Sequence, residues 1–480
     1  MSGRSLSQDR RFLALLGRTL ASEGEYAAEI EGTIPPGLRG TLYRNGPGRF
    51  ERGGVRKPLL LDGDGMVQRF RIADGGVSYR NRFVRTDKYV AEEAAGAYRH
   101  ATWSMRAPGG VLANIGVAKM RSQAGVTVYP AAGRLLAWDE VGLPWAVDPD
   151  SLDTIGEVSV AGPEALRVRR GKVTLKAHAR FDAHSGHWML LGVEYGPSMV
   201  LHLFVQDRDG NLLAHHSHAM PRQVYLHDFL ATESHVVVLL HPLVLSPLPF
   251  VMGTASFVQC LRWRPEQGMV VAAIDKAGHD APLLLDAPAA YMWHGLNAFR
   301  DGDSLVVDWV GFDAPDHFVG PDPALAAIME GRQGDGRSAG TVRRMVIDLA
   351  RRRLVHETVA DGNFEFPSVA PGQSCRRHRF GYVNSAGCGD PFADGLARID
   401  TVTGDVRAFH FGPGTHVGEP VLAEGEGGEA WLLAQCLDGA GERSFLAVFD
   451  AGRVEDGPVA RAWCRHHLPA SFHGSWVPAP

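Results

Sequence analysis

Four of the 21 histidines share a context that suits metal binding. They are His178 in KAHARF, His227 in VYLHDFL, His294 in MWHGLN and His473 in FHGSWVP. Each is flanked by apolar or small residues at the edge of a predicted strand, and neutral imidazoles are common ligands of divalent metals. A lone histidine in such surroundings is more often a core residue whose ring nitrogens are hydrogen-bonded. Spacing alone leaves both interpretations open.

Short β-rich runs separated by polar turns must position these histidines. Examples are residues 179–195, 203–220, 297–312 and 397–411, with SG, DG, DG and TGD at their turns. These turns are typical of β-hairpins, because glycine and aspartate tolerate positive φ. Hairpins that recur without a strict period predict an all-β propeller with irregular blades, with a β-sandwich array as the competitor. In a propeller, the innermost strands of different blades converge on the axis.

Helical periodicity is scarce. Residues 10–22 have leucines near helical spacing, and residues 323–331 predict a second short helix. Because no linker rich in proline, glycine or serine divides the chain cleanly, residues 1–480 are predicted to form a single propeller domain. Residues 1–25 are expected to be a helical segment packed on or near a membrane-facing side.

Composition and charge argue against several classes of function. The 480 residues carry a net charge of −5 without a basic block, so nucleic-acid binding is not expected. Five scattered cysteines without a CxxC pair argue against a disulfide framework or a thiolate zinc site and favour a reducing cytosol. The N-terminal residues lack the apolar core of a signal peptide, and no apolar run is long enough to predict a transmembrane helix.

A series of ordered motifs resembles one family nearly from end to end. The motifs are GTIPPGLRGTLYRNGPGRFERGG (32–54), LDGDGMVQRF (61–70), NRFVRTDKYVAEE (81–93), LLAWDEVGLP (135–144), SPLPFVMG (246–253), NFEFPSV (363–369), VGEPVLA (417–423) and FHGSW (472–476). On these motifs the chain resembles the carotenoid cleavage oxygenases, which include apocarotenoid oxygenases, the retinal isomerohydrolase and lignostilbene dioxygenases. The resemblance implies a seven-bladed β-propeller with a cap of loops and short helices over an axial metal site.

The resemblance also implies one Fe(II) per chain, with O₂ as co-substrate. His178, His227, His294 and His473 carry over as the iron ligands. Four neutral imidazoles suit Fe(II) and leave positions of a six-coordinate ion open, although the same set could close a tetrahedral zinc site. The implied reaction cleaves a conjugated C=C bond into two carbonyl products. A noncatalytic propeller scaffold and a zinc hydrolase are the competing classes.

Three glutamates are implied as partners of these ligands. Glu140 in WDEVG, Glu365 in FEFP and Glu419 in GEPV resemble the family's carboxylates, which accept the outer N–H of the second, third and fourth histidine in chain order. Carboxylates in this position fix the orientation of each ring and balance the charge of the ion. Each could otherwise be a solvated strand carboxylate, an interpretation that suits Glu365 least because phenylalanines flank it.

The motif around Glu140 bears on the substrate. Stilbene-cleaving members have a lysine directly before this glutamate, where the present chain has Asp139, and a carboxylate there would repel a phenolate. Tyr98 remains as the counterpart of their tunnel tyrosine. Residues 241–263 instead resemble the apocarotenoid oxygenases. An apocarotenoid or carotenoid is therefore the expected substrate, and a stilbene or phenylpropanoid alkene is the alternative.

A polyene without a polar handle requires an apolar tunnel. The candidate tunnel residues are Val126, expected beside the iron, and Phe70, Trp138, Phe229, Phe250, Trp293 and Phe364. The proline-rich segment 242–253 is either a buried loop or a patch that touches a membrane. The chain is thus expected to be cytoplasmic with peripheral membrane contact, and no protein partner is implied.

Overall fold

Seven larger antiparallel sheets form the blades of a β-propeller. The computed structural model describes residues 8–116, 120–131, 133–159, 168, 171–387, 390, 392–425 and 427–479. Residues 1–7 of the predicted N-terminal helical segment lie outside this part of the chain. The all-β, seven-bladed propeller that the sequence predicts is confirmed.

Blades 1 to 4 include both chain termini and the first half of the ring. Blade 1 comprises Gly24–Ala27, Gly40–Arg49, Asp64–Ala73, Gly76–Phe83 and His473–Pro478. Blade 2 comprises Thr127–Ala131, Arg134–Trp138, Trp145–Val147 and Thr154–Glu157. Blade 3 comprises Thr174–Asp182, His187–Glu194, Met199–Gln206 and Leu212–Met220. Blade 4 comprises Leu230–Ala231, His235–Leu240, Met269–Asp275 and Leu283–Ala287.

Blades 5 to 7 complete the ring. Blade 5 comprises Gly295–Asp301, Ser304–Gly311, Thr341–Asp348 and Arg353–Ala360. Blade 6 comprises Phe364–Ser368, Phe380–Ser385, Gly395–Asp400 and Val406–His410. Blade 7 comprises Glu29–Gly32, Thr415–Val417, Val421–Glu424, Ala430–Asp438, Arg443–Asp450 and Pro458–Trp463. Two small ribbons pair Glu51–Arg52 with Val55–Arg56 and Leu243–Leu245 with Leu261–Trp263.

Helices are short. In the described part of the chain, the α-helices are Asp87–Ala95, Pro247–Val251 and Ala324–Ala327, and the 3₁₀ helices are Gln8–Gly17, Leu60–Asp62, Val258–Cys260, Pro265–Gln267, Ile328–Glu330, Pro371–Gln373 and Val454–Asp456. Thr86 caps the first α-helix by accepting a hydrogen bond from the Tyr89 N–H at 3.1 Å, and Gly96 ends it in the left-handed conformation. None of the described helices has the length and apolar character needed to span a bilayer.

The C-terminal strand closes the ring. His473–Pro478 pairs antiparallel with Gly40–Arg49, so blade 1 is built from both ends of the chain. The approach is close: a Cβ on Gly474 would lie 2.4 Å from the Tyr43 carbonyl oxygen. Side chains between neighbouring blades form the cores; Leu191 of blade 3 and Val238 of blade 4, for example, are fully buried in one cluster. Each blade therefore packs two faces and leaves one strand edge at the axis.

Candidate metal centre

The four histidines meet at the propeller axis. The Nε2 atom of His227 lies 3.1 Å from that of His178 and 3.2 Å from that of His294. His473 completes the cluster, in which one ring nitrogen from each residue lies within 4.8 Å of the others. All four side chains are buried. Four chain segments that are far apart in sequence thus present imidazoles to one point.

Local irregularities in the strands aim these side chains. The pairing of blade 3 shifts register between Leu175 and Ala179, on either side of His178, and that of blade 5 shifts just after His294, between Gly295 and Asn297. A bulge turns side chains out of the regular alternation, and bulges are common beside functional sites. The histidine of blade 4 instead precedes its strand, and His473 begins the closing strand.

Three of the four imidazoles are oriented by carboxylates. The pairs are His227 Nδ1 with Glu140, His294 Nδ1 with Glu365 Oε2 at 2.5 Å, and His473 Nδ1 with Glu419 Oε1 at 2.8 Å. A carboxylate accepts the Nδ1 proton, which leaves the Nε2 lone pair free. The structure thus brings together each pair implied by the resemblance.

These lone pairs fit a metal ion. Nitrogen lone pairs about 3 Å apart repel one another, and a buried group of them is stable only around a cation. His178, His227, His294 and His473 would hold that ion through Nε2. The donor set contains no thiolate and no directly contacting carboxylate, which suits a divalent transition metal rather than calcium or magnesium.

Burial keeps most of these imidazoles neutral. It holds the pKa of His178 well below its usual range, and the neighbouring imidazoles lower it further. Burial also lowers the pKa of His473 to about 4, against the opposing effect of Glu419. At His294, burial is outweighed by Glu365, and the pKa is raised. Neutral imidazoles are the form that binds metal.

Two of the carboxylates have buried cationic partners. Lys176 Nζ lies 2.5 Å from Glu140 Oε2, and Arg44, which is fully buried, pairs with Glu419. Although burial alone would raise the pKa of Glu140, Lys176 and His227 hold it below its usual value. Burial alone would also raise the pKa of Glu419, but His473 and Arg44 hold it below its usual value. These two carboxylates therefore stay ionised.

Glu365 is held differently. Its Oε2 accepts the N–H of Phe366 as well as the histidine proton, and its Oε1 has no hydrogen-bond partner. Phe366 has a φ of 50°, a left-handed conformation that is strained for a phenylalanine. That backbone places the Phe366 ring against His294, with ring centroids 5.1 Å apart. The backbone conformation of Phe366 therefore positions both its N–H on the Glu365 carboxylate and its ring against His294.

A largely apolar cavity lies beside the cluster. Its wall includes His227, His294, His473, Glu140 and Glu365. The apolar part of the wall includes Leu16, Leu60, Leu61, Trp103, Val126, Tyr225, Trp293, Phe312, Phe364, Phe366, Phe392 and Phe472. A second, more polar pocket touches His178, His294 and His473 from another side. The metal centre is thus open to an apolar space.

Comparisons with known proteins agree with this arrangement. Residues 17–478 match the family described as retinal pigment epithelial membrane protein. The chain is 29% identical to the apocarotenoid-15,15'-oxygenase of Synechocystis, over 94% of this chain and 93% of the relative. The chain belongs to the carotenoid cleavage oxygenase family.

Two further similarities are relevant to the site. The chain is 28% identical to lignostilbene-α,β-dioxygenase isozyme III of Sphingomonas paucimobilis, with 96% of each chain covered. The crystal structure of a cobalt-substituted Synechocystis apocarotenoid oxygenase superposes with a TM-score of 0.89 and 28% identity, covering 99% of this chain and 100% of that one. The four-histidine cluster of the present chain fits a metal ion.

Among the candidate tunnel residues, Val126, Trp293 and Phe364 lie in the cavity wall. Trp293 packs edge-on against His227, with ring centroids 4.8 Å apart. Val126 directly precedes the first strand of blade 2, so it reaches the axis in the same way as the histidine before the first strand of blade 4.

The other four tunnel candidates lie elsewhere, and their placement corrects the expectation. Phe70 is buried between blades 1 and 7, Trp138 between blades 2 and 3, and Phe229 between blades 3 and 4. Phe250 lies in a separate small pocket beside Asn114. Successive strand residues face opposite sides, and the cores between blades demand large apolar side chains as strongly as a tunnel does. The residue type alone therefore does not show whether an aromatic side chain lies in a core between blades or in the cavity wall.

The two residues that bore on stilbene cleavage are also placed away from the cavity wall. Asp139 accepts hydrogen bonds from the backbone N–H groups of Gln123, Ala124 and Val141, so it organises a turn rather than repelling a phenolate. The ring of Tyr98 lies 3.9 Å from Lys57 Nζ and is 6% exposed.

Several site residues were missed from the sequence. Lys176 and Arg44 have the sequence context of ordinary strand cations, and their buried ion pairs with Glu140 and Glu419 were not predicted. Tyr225 stands two residues before His227, and its hydroxyl lies 3.4 Å from the histidine Nδ1. His317, in a turn, carried no local signal for its position in the cavity wall.

Proposed function

We propose that this chain is a nonheme Fe(II) dioxygenase that cleaves a conjugated C=C bond of an apocarotenoid or carotenoid with O₂, giving two carbonyl products. The observation that carries the proposal is the convergence of four buried imidazoles, three of which lie in the wall of an apolar cavity. Family membership supports an oxygenase, and the Synechocystis relative is named for apocarotenoid cleavage.

One Fe(II) per chain is part of the proposal. Four neutral imidazoles without a thiolate suit Fe(II) and leave positions of a six-coordinate ion open. When bound, the iron supplies the redox chemistry that activates O₂.

The chain's own residues prepare the site for that chemistry. Glu140, Glu365 and Glu419 hold the Nδ1 protons of their histidines, so that Nε2 remains a donor atom. The aromatic wall, including Trp293 and Phe364, excludes water and holds an apolar chain by burial. No side-chain acid, base or nucleophile is needed in the proposed reaction.

A polyene fits this wall better than a stilbene. The cavity beside the metal site is lined mainly by apolar side chains. Tyr98 and Asp139, at the two positions that bear on stilbene cleavage, lie outside the lining. The similarity to a lignostilbene dioxygenase makes the stilbene the necessary comparison substrate.

We also propose that the protein docks peripherally on a membrane. Leu248 and Met252 are 69% and 50% exposed, and the adjacent segment 111–115 exposes Leu112 by 84%. The two segments are joined by a hydrogen bond from the Gly116 N–H to the Val251 carbonyl at 2.9 Å. Exposed apolar side chains on neighbouring loops support contact with lipid, from which a polyene would enter. Sedimentation with phospholipid vesicles should be lost in Leu112→Glu/Leu248→Glu and retained in Val402→Glu, a distant exposed position.

The proposal treats residues 1–480 as one domain in a reducing, cytosolic compartment. Leu13 and Leu16 of the N-terminal segment pack in the same core cluster as Met329 and Phe392, which supports a segment that belongs to the propeller body. The four described cysteines are buried free thiols, as suits a reducing environment.

The test is product analysis by mass spectrometry. Iron-loaded protein is incubated in air, and separately without O₂, with a β-apocarotenal or with a hydroxystilbene. We expect two carbonyl fragments from the apocarotenal, only in air, with loss of activity and of bound iron in His294→Ala. His279→Ala, a change at a histidine whose side chain is 81% exposed, is the matched control. Cleavage of the stilbene alone, or activity without O₂, would contradict the proposal.

A further inference from the structure

His317 is an imidazole in the cavity wall that the proposed reaction does not use. It lies in a turn after blade 5's second strand, 9% exposed, and lines the same cavity as His294 and Glu365. Aromatic rings surround it: the Phe312 and Trp293 centroids lie 4.9 and 5.8 Å from that of His317. Both ring nitrogens of a histidine in apolar surroundings are expected to have hydrogen-bond partners.

The neighbouring tryptophan determines which nitrogen of His317 carries the proton. The indole Nε1–H of Trp293 donates to His317 Nε2. An indole nitrogen is only a donor, so Nε2 must be the acceptor, and in the neutral ring Nδ1 must be protonated. Burial lowers the pKa of His317 to about 4, against opposing effects of Asp316 and Glu365, so the ring is neutral near pH 7.

The resulting Nδ1–H has no hydrogen-bond partner among the residues that the structure describes. The closest acidic oxygen, Asp316 Oδ1, lies 3.9 Å away, beyond hydrogen-bond distance. The Asp316 carboxylate instead accepts the backbone N–H groups of Arg337 and Ser338. A donor buried without a partner destabilises the protein, unless a ligand supplies the acceptor.

We infer that His317 Nδ1–H donates a hydrogen bond to an oxygen atom at the end of the substrate. This inference rests on the proposed function and deepens it: the preferred substrates are polyenes that end in a carbonyl or hydroxyl group, rather than hydrocarbon carotenes. Apolar burial is blind to position along a uniform polyene. A donor at the position of His317 selects one end of the molecule and thereby fixes which double bond lies at the metal.

Two variants separate the hydrogen bond from packing. His317→Asn loses the Nε2 acceptor but retains an N–H near the position of Nδ1, whereas His317→Phe loses both polar atoms and retains an aromatic ring. Both lose the Nε2 acceptor of the Trp293 N–H, and only His317→Asn keeps an N–H donor near the position of Nδ1. His416→Leu is the control, because His416 also lines the cavity with an unpartnered Nδ1 but is less buried and lies beside Phe392.

Binding is measured on metal-free protein by quenching of tryptophan fluorescence. The probes are a β-apocarotenal and a hydrocarbon polyene of the same conjugated length. We expect His317→Phe to weaken binding of the aldehyde about fivefold to tenfold and to leave hydrocarbon binding unchanged. His317→Asn should restore much of the aldehyde affinity, and His416→Leu should preserve the difference between the probes.

The outcomes distinguish two failures. Suppose that wild type binds both polyenes. If His317→Phe then weakens binding of the two polyenes equally, or weakens binding of neither, the hydrogen bond is disproved while the proposed function stands. If wild type binds neither polyene but binds a hydroxystilbene, the proposed function fails and this inference with it. With iron-loaded protein, the variant should also raise KM for the aldehyde more than it lowers kcat and should broaden the set of bonds cleaved.

Discussion

At the level of single residues, the metal site is a balance of buried charges. Glu140 and Glu419 each have a buried cationic partner, Lys176 and Arg44, whereas Glu365 has a strained backbone N–H instead. A carboxylate shared between a cation and an imidazole stays ionised and keeps its histidine oriented. The group that contacts each carboxylate therefore contributes to the orientation of the histidine as the carboxylate itself does.

Removing Lys176 tests this balance. Lys176→Met leaves Glu140 buried without its cation and should lower the free energy of unfolding by about 3–5 kcal/mol. Lys176→Met/Glu140→Gln should recover most of that stability, because no unpaired charge remains, while iron affinity falls about 10–100-fold. Urea denaturation and iron titration measure the two effects. Equal stability of the single and double variants would contradict the charge balance.

Lys57 should make stability depend on pH. It is 1% exposed, and burial first and then Lys88 lower its pKa from 10.5 to about 8. Between pH 8 and 10.5, the folded protein binds fewer protons at this lysine than the unfolded chain does. The charged, buried lysine lowers the free energy of unfolding below pH 8, and this loss disappears as the pH rises through the window. The stability of wild type relative to Lys57→Met should therefore rise by about 2–3 kcal/mol from pH 7.5 to 10.5. A stability difference between wild type and Lys57→Met that does not change with pH would disprove the lowered pKa of Lys57.

At the level of elements, one cation joins the strands that carry three ligands. Arg180, two residues after His178, donates to the Phe229 carbonyl at 2.7 Å and to the Gly295 carbonyl at 3.3 Å, and pairs with Asp228. Asp228 in turn accepts the Gly295 N–H at 2.9 Å. The axial strand edges of blades 3, 4 and 5 are thus held together beside their ligands.

Arg180→Met should therefore loosen the ligand set more than the fold. We expect iron affinity to fall about tenfold, as for other losses of support around a ligand, with a small change in melting temperature of the metal-free protein. Arg344→Met is the matched control, since the Arg344–Asp308 pair joins two strands of blade 5 that carry none of the four histidines. Iron competition titrations and calorimetry would measure both; equal effects of the two variants would argue against the link.

At the level of the whole molecule, ring closure and metal binding share one strand. The strand His473–Pro478 supplies a ligand at its first residue and completes blade 1 with the rest. The Gly474 N–H also donates to Glu419 Oε2 at 2.8 Å. Loss of closure should therefore reach the metal centre directly.

Gly474→Ala tests the coupling. The new Cβ would lie 2.4 Å from the Tyr43 carbonyl oxygen, so the closing strand must shift, and we expect a loss of about 1–3 kcal/mol in unfolding free energy together with weaker iron binding. Gly24→Ala, in the same blade, has open space at its Cβ and should change neither. A destabilised variant with unchanged iron affinity would separate closure from the site.

The sequence by itself determined the all-β propeller, the four histidines and their three glutamates, because hairpin chemistry is local and because ordered motifs carried the family resemblance. It could not say which aromatic residues face the cavity: Trp293 and Phe364 do, whereas Phe70, Trp138 and Phe229 fill the cores between blades. Both environments select the same side chains, so only the tertiary structure decides between them.

The tertiary structure also decided the partners that come from distant segments. Lys176 behind Glu140, Arg44 behind Glu419 and the Trp293 N–H on His317 join residues on different elements. An ion pair or a hydrogen bond depends on distance and direction in space, which a one-dimensional pattern does not contain. The sequence thus indicated which side chains form the four-histidine cluster, and the packing of the blades determined the charge balance and the shape of the cavity beside it.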